Sequence, residues 1–226
     1  MKLLFNLVVN DIRKNRIISS ILFAFLMLSA VLLTGGLRIG VTSITSINAL
    51  STVAQIPDYI QMHKGDYDEK AIDDFVKNHD YIEAFQVTKM LNIKNSELYH
   101  NGKSFENSLM DNSFVAQNES FDYLLDMNNE IAIINKGEIG IPIYYAQELG
   151  VELGDSIRVE KGSHTKDFKV STIIRDAQMN SALTSSKRLL INEADILELS
   201  SNLGEWEYCF EFLLEEGSIA SLETDY

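Results

Sequence analysis

The sequence has one cysteine, Cys209, so a disulfide within the chain is excluded, and nothing identifies the activating base that a catalytic thiol needs. Neither G-x-x-x-x-G-K-[ST] nor G-x-G-x-x-G occurs, so the chain supplies no phosphate cradle. His63, His79, His100 and His164 share no ligand-like spacing, and H-E-x-x-H is missing. Ser163, Ser185 and Ser186 lack a nucleophile elbow. The acidic clusters Asp66–Glu69 and Asp73–Asp74 do not fit a calcium loop and read as the cap and solvated face of a helix. No solenoid repeat or low-complexity tract is present. These absences predict a chain without catalytic residues, cofactor or metal site. A formal net charge of −14 argues against nucleic acid as a partner.

One further absence is local. From Ile17 to Leu37 no side chain is charged. A bilayer core about 30 Å thick needs roughly 20 apolar residues of helix to cross it, and helical hydrogen bonding satisfies the backbone there. A cleaved signal peptide fits poorly. Its apolar region is normally about 7–15 residues, and Leu33-Thr34-Gly35-Gly36-Leu37 is a weak cleavage match.

Charge is distributed unevenly about this run. Residues 1–37 hold four basic residues, Lys2, Arg13, Lys14 and Arg16, and one acid, Asp11. From Arg38 onward fifteen basic residues face thirty-two acids. Basic residues beside a span stay in the cytoplasm, which predicts an inside N-terminus and an outside acidic portion at the plasma membrane. In the leader, residues 1–16, Met1, Leu4, Phe5, Val8 and Ile12 fall on one side of a helical wheel. Lys2, Asn6, Asn10 and Arg13 fall on the other. Two readings stay open: an interfacial helix whose partner is membrane lipid, or a plain cytoplasmic extension of the span.

Beyond the span, the helical pattern continues through Val41, Ile44, Ile47, Leu50 and Val53, until Pro57 breaks it. A single helix from Ile17 to Gln55 would be about 58 Å long at about 1.5 Å per residue, with residues 38–56 forming a stalk. Residues 57–226 are long enough for a domain with its own core. Strands are predicted at Tyr59–His63, Ile82–Leu91 and Ile131–Ile134, and a helix at Asp68–Asn78 with Ile72, Phe75 and Val76 inward. The polar stretch 92–129 reads as an inserted loop region or small subdomain. Trp206, Tyr208, Phe210, Phe212 and Leu214 alternate with Glu205, Glu207, Cys209, Glu211 and Leu213. This predicts a half-buried strand with one wet, acidic face.

The most specific local pattern lies between Glu138 and Ile191. A short helix is predicted to begin near Pro142 and close at Gly150 in the left-handed conformation. A turn at Gly154-Asp155 then leads into a strand carrying Ile157 and Val159. Lys161-Gly162-Ser163 makes a hairpin, and Phe168 to Ile174 returns as its partner. The order Ile141-Pro142, Ala146-x-x-Leu149-Gly150-Val151-x-x-Gly154-Asp155-x-Ile157-x-Val159, then Phe168-x-Val170-x-x-Ile173-x-Arg175-Asp176, resembles the extracytoplasmic domain of FtsX-like and MacB-like ABC transporter permeases. The leader, span and projecting helix resemble that family's N-terminal arrangement.

The resemblance implies an α+β fold: a transmembrane helix extended into a stalk, then a mixed α/β extracytoplasmic domain of the MacB periplasmic-core type. It also implies a separate ABC ATPase subunit as partner, a second permease copy in the full-length protein, and motion passed through the stalk. Members typically have four spans, whereas this sequence shows one and stops at Tyr226 within what reads as a starting helix. That departure predicts a fragment. The alternative is the outer sensory or binding module of a membrane-anchored signalling receptor.

Overall fold

The computed structural model describes residue 10, residues 13–180 and residues 184–226. Lys2 and the apolar face predicted for the leader lie outside the described residues. The chain is an α+β protein, one long apolar N-terminal helix followed by a sheet-rich domain. It divides into two units, residues 1–49 and 50–226.

Helix α1 runs from Arg16 to Ala54 without interruption. It is long and apolar enough to cross a membrane, and none of its most apolar stretch is buried against the rest of the chain. A core helix of a soluble protein would be covered; here Ile17, Phe23, Leu28, Val31 and Ile44 are all exposed. Two hydroxyls along it are satisfied from within: Thr34 Oγ1 donates to the Ala30 carbonyl at 2.7 Å and Thr45 Oγ1 to that of Val41 at 3.0 Å. Gly35, Gly36 and Gly40 do not break the helix, and nothing approaches them closely.

Among the described residues of the second unit, ten strands form one sheet. They are β1 (Tyr59–Lys64), β2 (Ile82–Ile93), β3 (Leu98–His100), β4 (Lys103–Ser104), β5 (Asp111–Val115), β6 (Glu138–Pro142), β7 (Ser156–Lys161), β8 (His164–Ile174), β9 (Ser186–Ile191) and β10 (Glu205–Leu214). Their order is β1-β10-β2-β5-β9-β6-β8-β7-β3-β4. Pairing is antiparallel except for β5 with β9 and β6 with β8. At Gly140, in the middle of β6, an added Cβ would lie 2.9 Å from Ile174 Cγ2, so only glycine lets the neighbouring strands approach there.

Helix α2 (Glu69–Lys77) starts at Asp68, whose carboxylate accepts from the Ala71 amide at 3.1 Å. Its Ile72, Phe75 and Val76, with Leu222 of α5 (Ile219–Asp225), cover Phe210 and Phe212 of β10. A second core gathers Leu91, Phe114, Ile139, Ile157, Val159 and Phe168 with residues of α3 (Ile143–Glu148) and α4 (Glu193–Ser200). The β7–β8 hairpin turns through Gly162 with Lys161 opposite His164, as its residues predict.

Three expectations are corrected. Ile131–Ile134 is not a strand; Ile131 forms one bridge with Leu125. Residues 92–129 are not merely an inserted region, because they supply β3, β4 and β5 and bury Phe105, Phe114, Phe121 and Leu124. The face of β10 expected to be wet is dry where it matters: Cys209 and Glu211 are fully buried. β10 lies inside the sheet rather than at its edge, and the segment 117–125 closes over that face. Gln86 of β2 donates both to the Phe121 carbonyl at 3.1 Å and to Glu211 Oε2 at 2.6 Å.

Candidate functional site

The candidate site is built around the last turn of α1, inside the second unit. A helix end leaves carbonyls without partners, and this one finishes with Gln55 in the left-handed region at φ 53°. The Ile56 amide donates back to the Ser51 carbonyl at 3.3 Å, which is a Schellman closure. Two more carbonyls are taken by the domain. The Tyr123 amide donates to Ala54 O, and the Asp122 amide to Gln55 O, both at 2.8 Å. Leu50, Ala54, Leu125 and Ala177 pack together beneath the cap, with Ile56 and Tyr123 against them.

Among the described residues, the capping segment forms strand-type bridges only at Leu125, and polar side chains hold the rest of it. Gln117 donates to the Leu124 carbonyl at 2.7 Å and accepts from the Leu124 amide at 3.0 Å. Asn118 donates to the Asp122 carbonyl at 3.2 Å and accepts from Thr88 Oγ1 at 3.0 Å. Asp122 itself sits at φ 53°, unusual for a residue with a side chain. Leu125 and Arg175 exchange amide-to-carbonyl bonds at 3.1 and 2.7 Å, so the end of β8 joins the same assembly.

Beneath it lies a dry ion cluster. Arg188 of β9 is 1 % exposed and binds Asp176 through two parallel bonds, Nε to Oδ2 at 2.7 Å and Nη2 to Oδ1 at 2.6 Å. Its Nη1 donates to Asp122 Oδ2, and Nη2 reaches Asp122 Oδ1 at 3.3 Å. Burial works against the guanidinium charge, but the two carboxylates overrule it and hold Arg188 protonated more firmly than usual. One cation is thus shared between two carboxylates in a buried site. Glu211 is the third acid here. Burial first, then the Asp122 carboxylate, push its carboxyl up to about 7, with Arg188 acting in the opposite direction. Among the described residues, its Oε1 has no hydrogen-bond partner of good geometry.

The adjacent residue on β9 shows the contrast. Lys187 Nζ donates to the carbonyls of Thr184 at 2.7 Å and Ser186 at 2.9 Å and stands 5.6 Å from the Tyr144 ring centre. Burial lowers its ammonium pKa. A cavity of about 280 Å³ opens beside the ion cluster, lined in part by Leu50, Arg175, Asp176, Lys187 and Arg188.

No protein-family model matches the chain, and no curated protein matches it in sequence. Among solved structures, it is similar to a domain assigned to a permease protein of Porphyromonas gingivalis, with a TM-score of 0.41 and 14% identity. That alignment covers 67% of this chain and 65% of the other, so the chain spans just under two thirds of that relative. It is also similar to the periplasmic region of MacB from Actinobacillus actinomycetemcomitans, with a TM-score of 0.40 and 12% identity over 74% of this chain and 79% of that one. Both likenesses are too loose to locate a site.

The residues singled out in the sequence do not meet at the cap. Arg13, Lys14 and Arg16 are exposed at the start of the described helix. Gly150 closes α3 at φ 65°, and Gly154 turns at φ 93°. Asp155 accepts from the Glu152 amide at 2.9 Å and from His100 Nε2 at 2.7 Å; those two bonds, the backbone one first, hold its carboxyl below the usual range. Sequence reasoning missed Asp122, Asp176, Arg188 and Glu211 as a group. The available signal was a charged residue inside an apolar strand, Arg188 before Leu189-Leu190-Ile191, following Arg175-Asp176 by a dozen positions.

Proposed function

We propose that this chain is part of the permease subunit of an ABC transporter. In this reading α1 crosses the plasma membrane, residues 1–16 lie in the cytoplasm, and the sheet domain lies outside. ATP is hydrolysed by a separate chain, and a second permease copy completes the assembly. The observation that carries the reading is one helix, Arg16–Ala54, that is apolar over a membrane's thickness and whose last turn is capped by domain backbone. An unbroken helix transmits axial and tilting motion, whereas a hinge would absorb it. The Gly150–Asp155 pattern and the uneven basic charge at the N-terminus support the same assignment.

The test is a proline inserted at Ile47 in the full-length protein, assembled with its ATPase. Proline removes a helix hydrogen bond and kinks the chain, at a cost of about 3 kcal/mol. ATP hydrolysis should persist while its effect on the outer domain is lost. Undiminished transport or outer-domain response in the variant would overturn the reading.

A further inference from the structure

The ion cluster and the cap are joined by direct bonds. Glu211 Oε2 accepts from Gln86 Nε2, and the same nitrogen donates to the Phe121 carbonyl. The next residue, Asp122, holds the Gln55 carbonyl with its amide and Arg188 with its carboxylate. Glu211 is therefore one side-chain amide away from the segment that closes the helix. We propose that Glu211 is the proton-responsive member of this latch: gain or loss of its proton sets how tightly the Asp122–Tyr123 segment grips the last turn of α1.

The groups around Glu211 give the direction. From the capping segment comes the Asp122 carboxylate; from β9, the Arg188 guanidinium; from its own strand, the Cys209 thiol; and from β1, Ile60 stands opposite. From β2 come Gln86 and Thr88, whose hydrogen bonds act against the rise but weigh less than burial and the Asp122 carboxylate. Arg188 is already saturated by two carboxylates. An ionised Glu211 would thus place a further negative charge beside Asp122 in a buried site. Protonated on Oε1, it is neutral and keeps the Gln86 bond on Oε2. Its folded-state pKa of about 7 lies above the ordinary 4.5, so the grip is full in acid and weakens as pH rises through about 7. Between pH 6 and 8 the equilibrium for opening the latch should rise by up to about tenfold, if opening returns Glu211 to water. Proton control of the cap needs only this cluster and does not depend on transport.

The test uses the full chain in lipid nanodiscs and two independent readings. First, infrared spectra of the unaltered protein with ¹³C-labelled glutamate should show a protonated-carboxyl band at pH 6 that disappears by about pH 8. Second, hydrogen exchange of the Asp122 and Tyr123 amides, corrected for intrinsic rates, should show protection that falls several-fold between pH 6 and 8. Glu211→Gln, a neutral mimic, should keep the low-pH protection throughout and remove the band. No band in the unaltered protein, or the same pH-dependent loss of protection in Glu211→Gln, would overturn the proposal. Because the spectroscopic reading needs no variant, it decides the matter even if Glu211→Gln fails to fold.

Discussion

Two ion clusters in the domain share a composition and differ in their surroundings. In one, Arg188 lies between Asp122 and Asp176, and all three are buried. In the other, Lys166 lies between Asp195 and Glu198, at 2.7 and 2.6 Å, with Asp195 buried but the Glu198 side chain 57 % exposed. Each sets one cation between two carboxylates, and at the second a further cation, Lys136, comes within 3.9 Å of Glu198. At the second, Glu198 faces solvent and Lys136, and the Gly137 amide donates to Asp195 at 2.7 Å. At the first, all three charges are buried, and burial first, then the Asp122 carboxylate, push the carboxyl of neighbouring Glu211 up to about 7. A cation bridging two carboxylates makes a solvated clamp in one place and a buried, protonation-sensitive site in the other, and burial is the main difference between them.

The sharpest way to break the contrast is to remove each cation. Arg188→Met leaves two carboxylates buried and should lower stability by about 3–5 kcal/mol. Lys166→Met should cost about 2 kcal/mol, because Glu198 is free to hydrate. Denaturant unfolding followed through Trp206 measures both, and equal losses would remove the distinction. Next in size is pH. The raised Glu211 pKa means that the folded state binds the proton more tightly than the unfolded chain. Its stabilising effect is therefore complete below about pH 4.5 and declines as pH rises through about 7, a total of about 3 kcal/mol. Glu211→Gln should flatten this slope, while Glu198→Gln should leave it unchanged. The smallest effect concerns the cap rather than the charges. Gln55 occupies a left-handed position that glycine adopts without strain, so Gln55→Gly should stabilise the chain by about 0.5–1 kcal/mol, read as a higher melting temperature.

Much of the architecture was legible from local signals. The uncharged run and its basic flank mark α1, the alternation from Trp206 to Leu214 marks β10, and Gly150, Gly154 and Gly162 mark turns that the chain does make. The cluster was not legible, for a physical reason. Alternation shows that a strand has two faces but not what covers each one. Glu211 is dry because residues 117–125 close over it, and that segment has no periodicity; it is held by the amides of Gln86, Gln117 and Asn118. The decisive partners are far apart in the chain, 66 residues for Asp122 with Arg188 and 125 for Gln86 with Glu211. A local pattern carries no record of such pairings. Ile131–Ile134 failed the opposite way: its residues favour a strand, but one bridge to Leu125 is all that forms.

The strand order also sets a timetable for assembly. β1 stands at one edge of the sheet, and its neighbour there is β10, some 140 residues later. The linker just after α1 waits on that same strand: the Asp58 amide donates to the Phe212 carbonyl, and the Asp58 carboxylate accepts from the Leu214 amide, both at 2.9 Å. A ribosome adding about 5–20 residues per second takes roughly seven to thirty seconds to cover that distance. During that interval β1, with its exposed Ile60 and Met62, has no strand to pair with. The segment that leads out of the first helix is thus among the earliest made and the last secured, so a nascent chain stalled before β10 would present an open, apolar edge to whatever chaperone attends it.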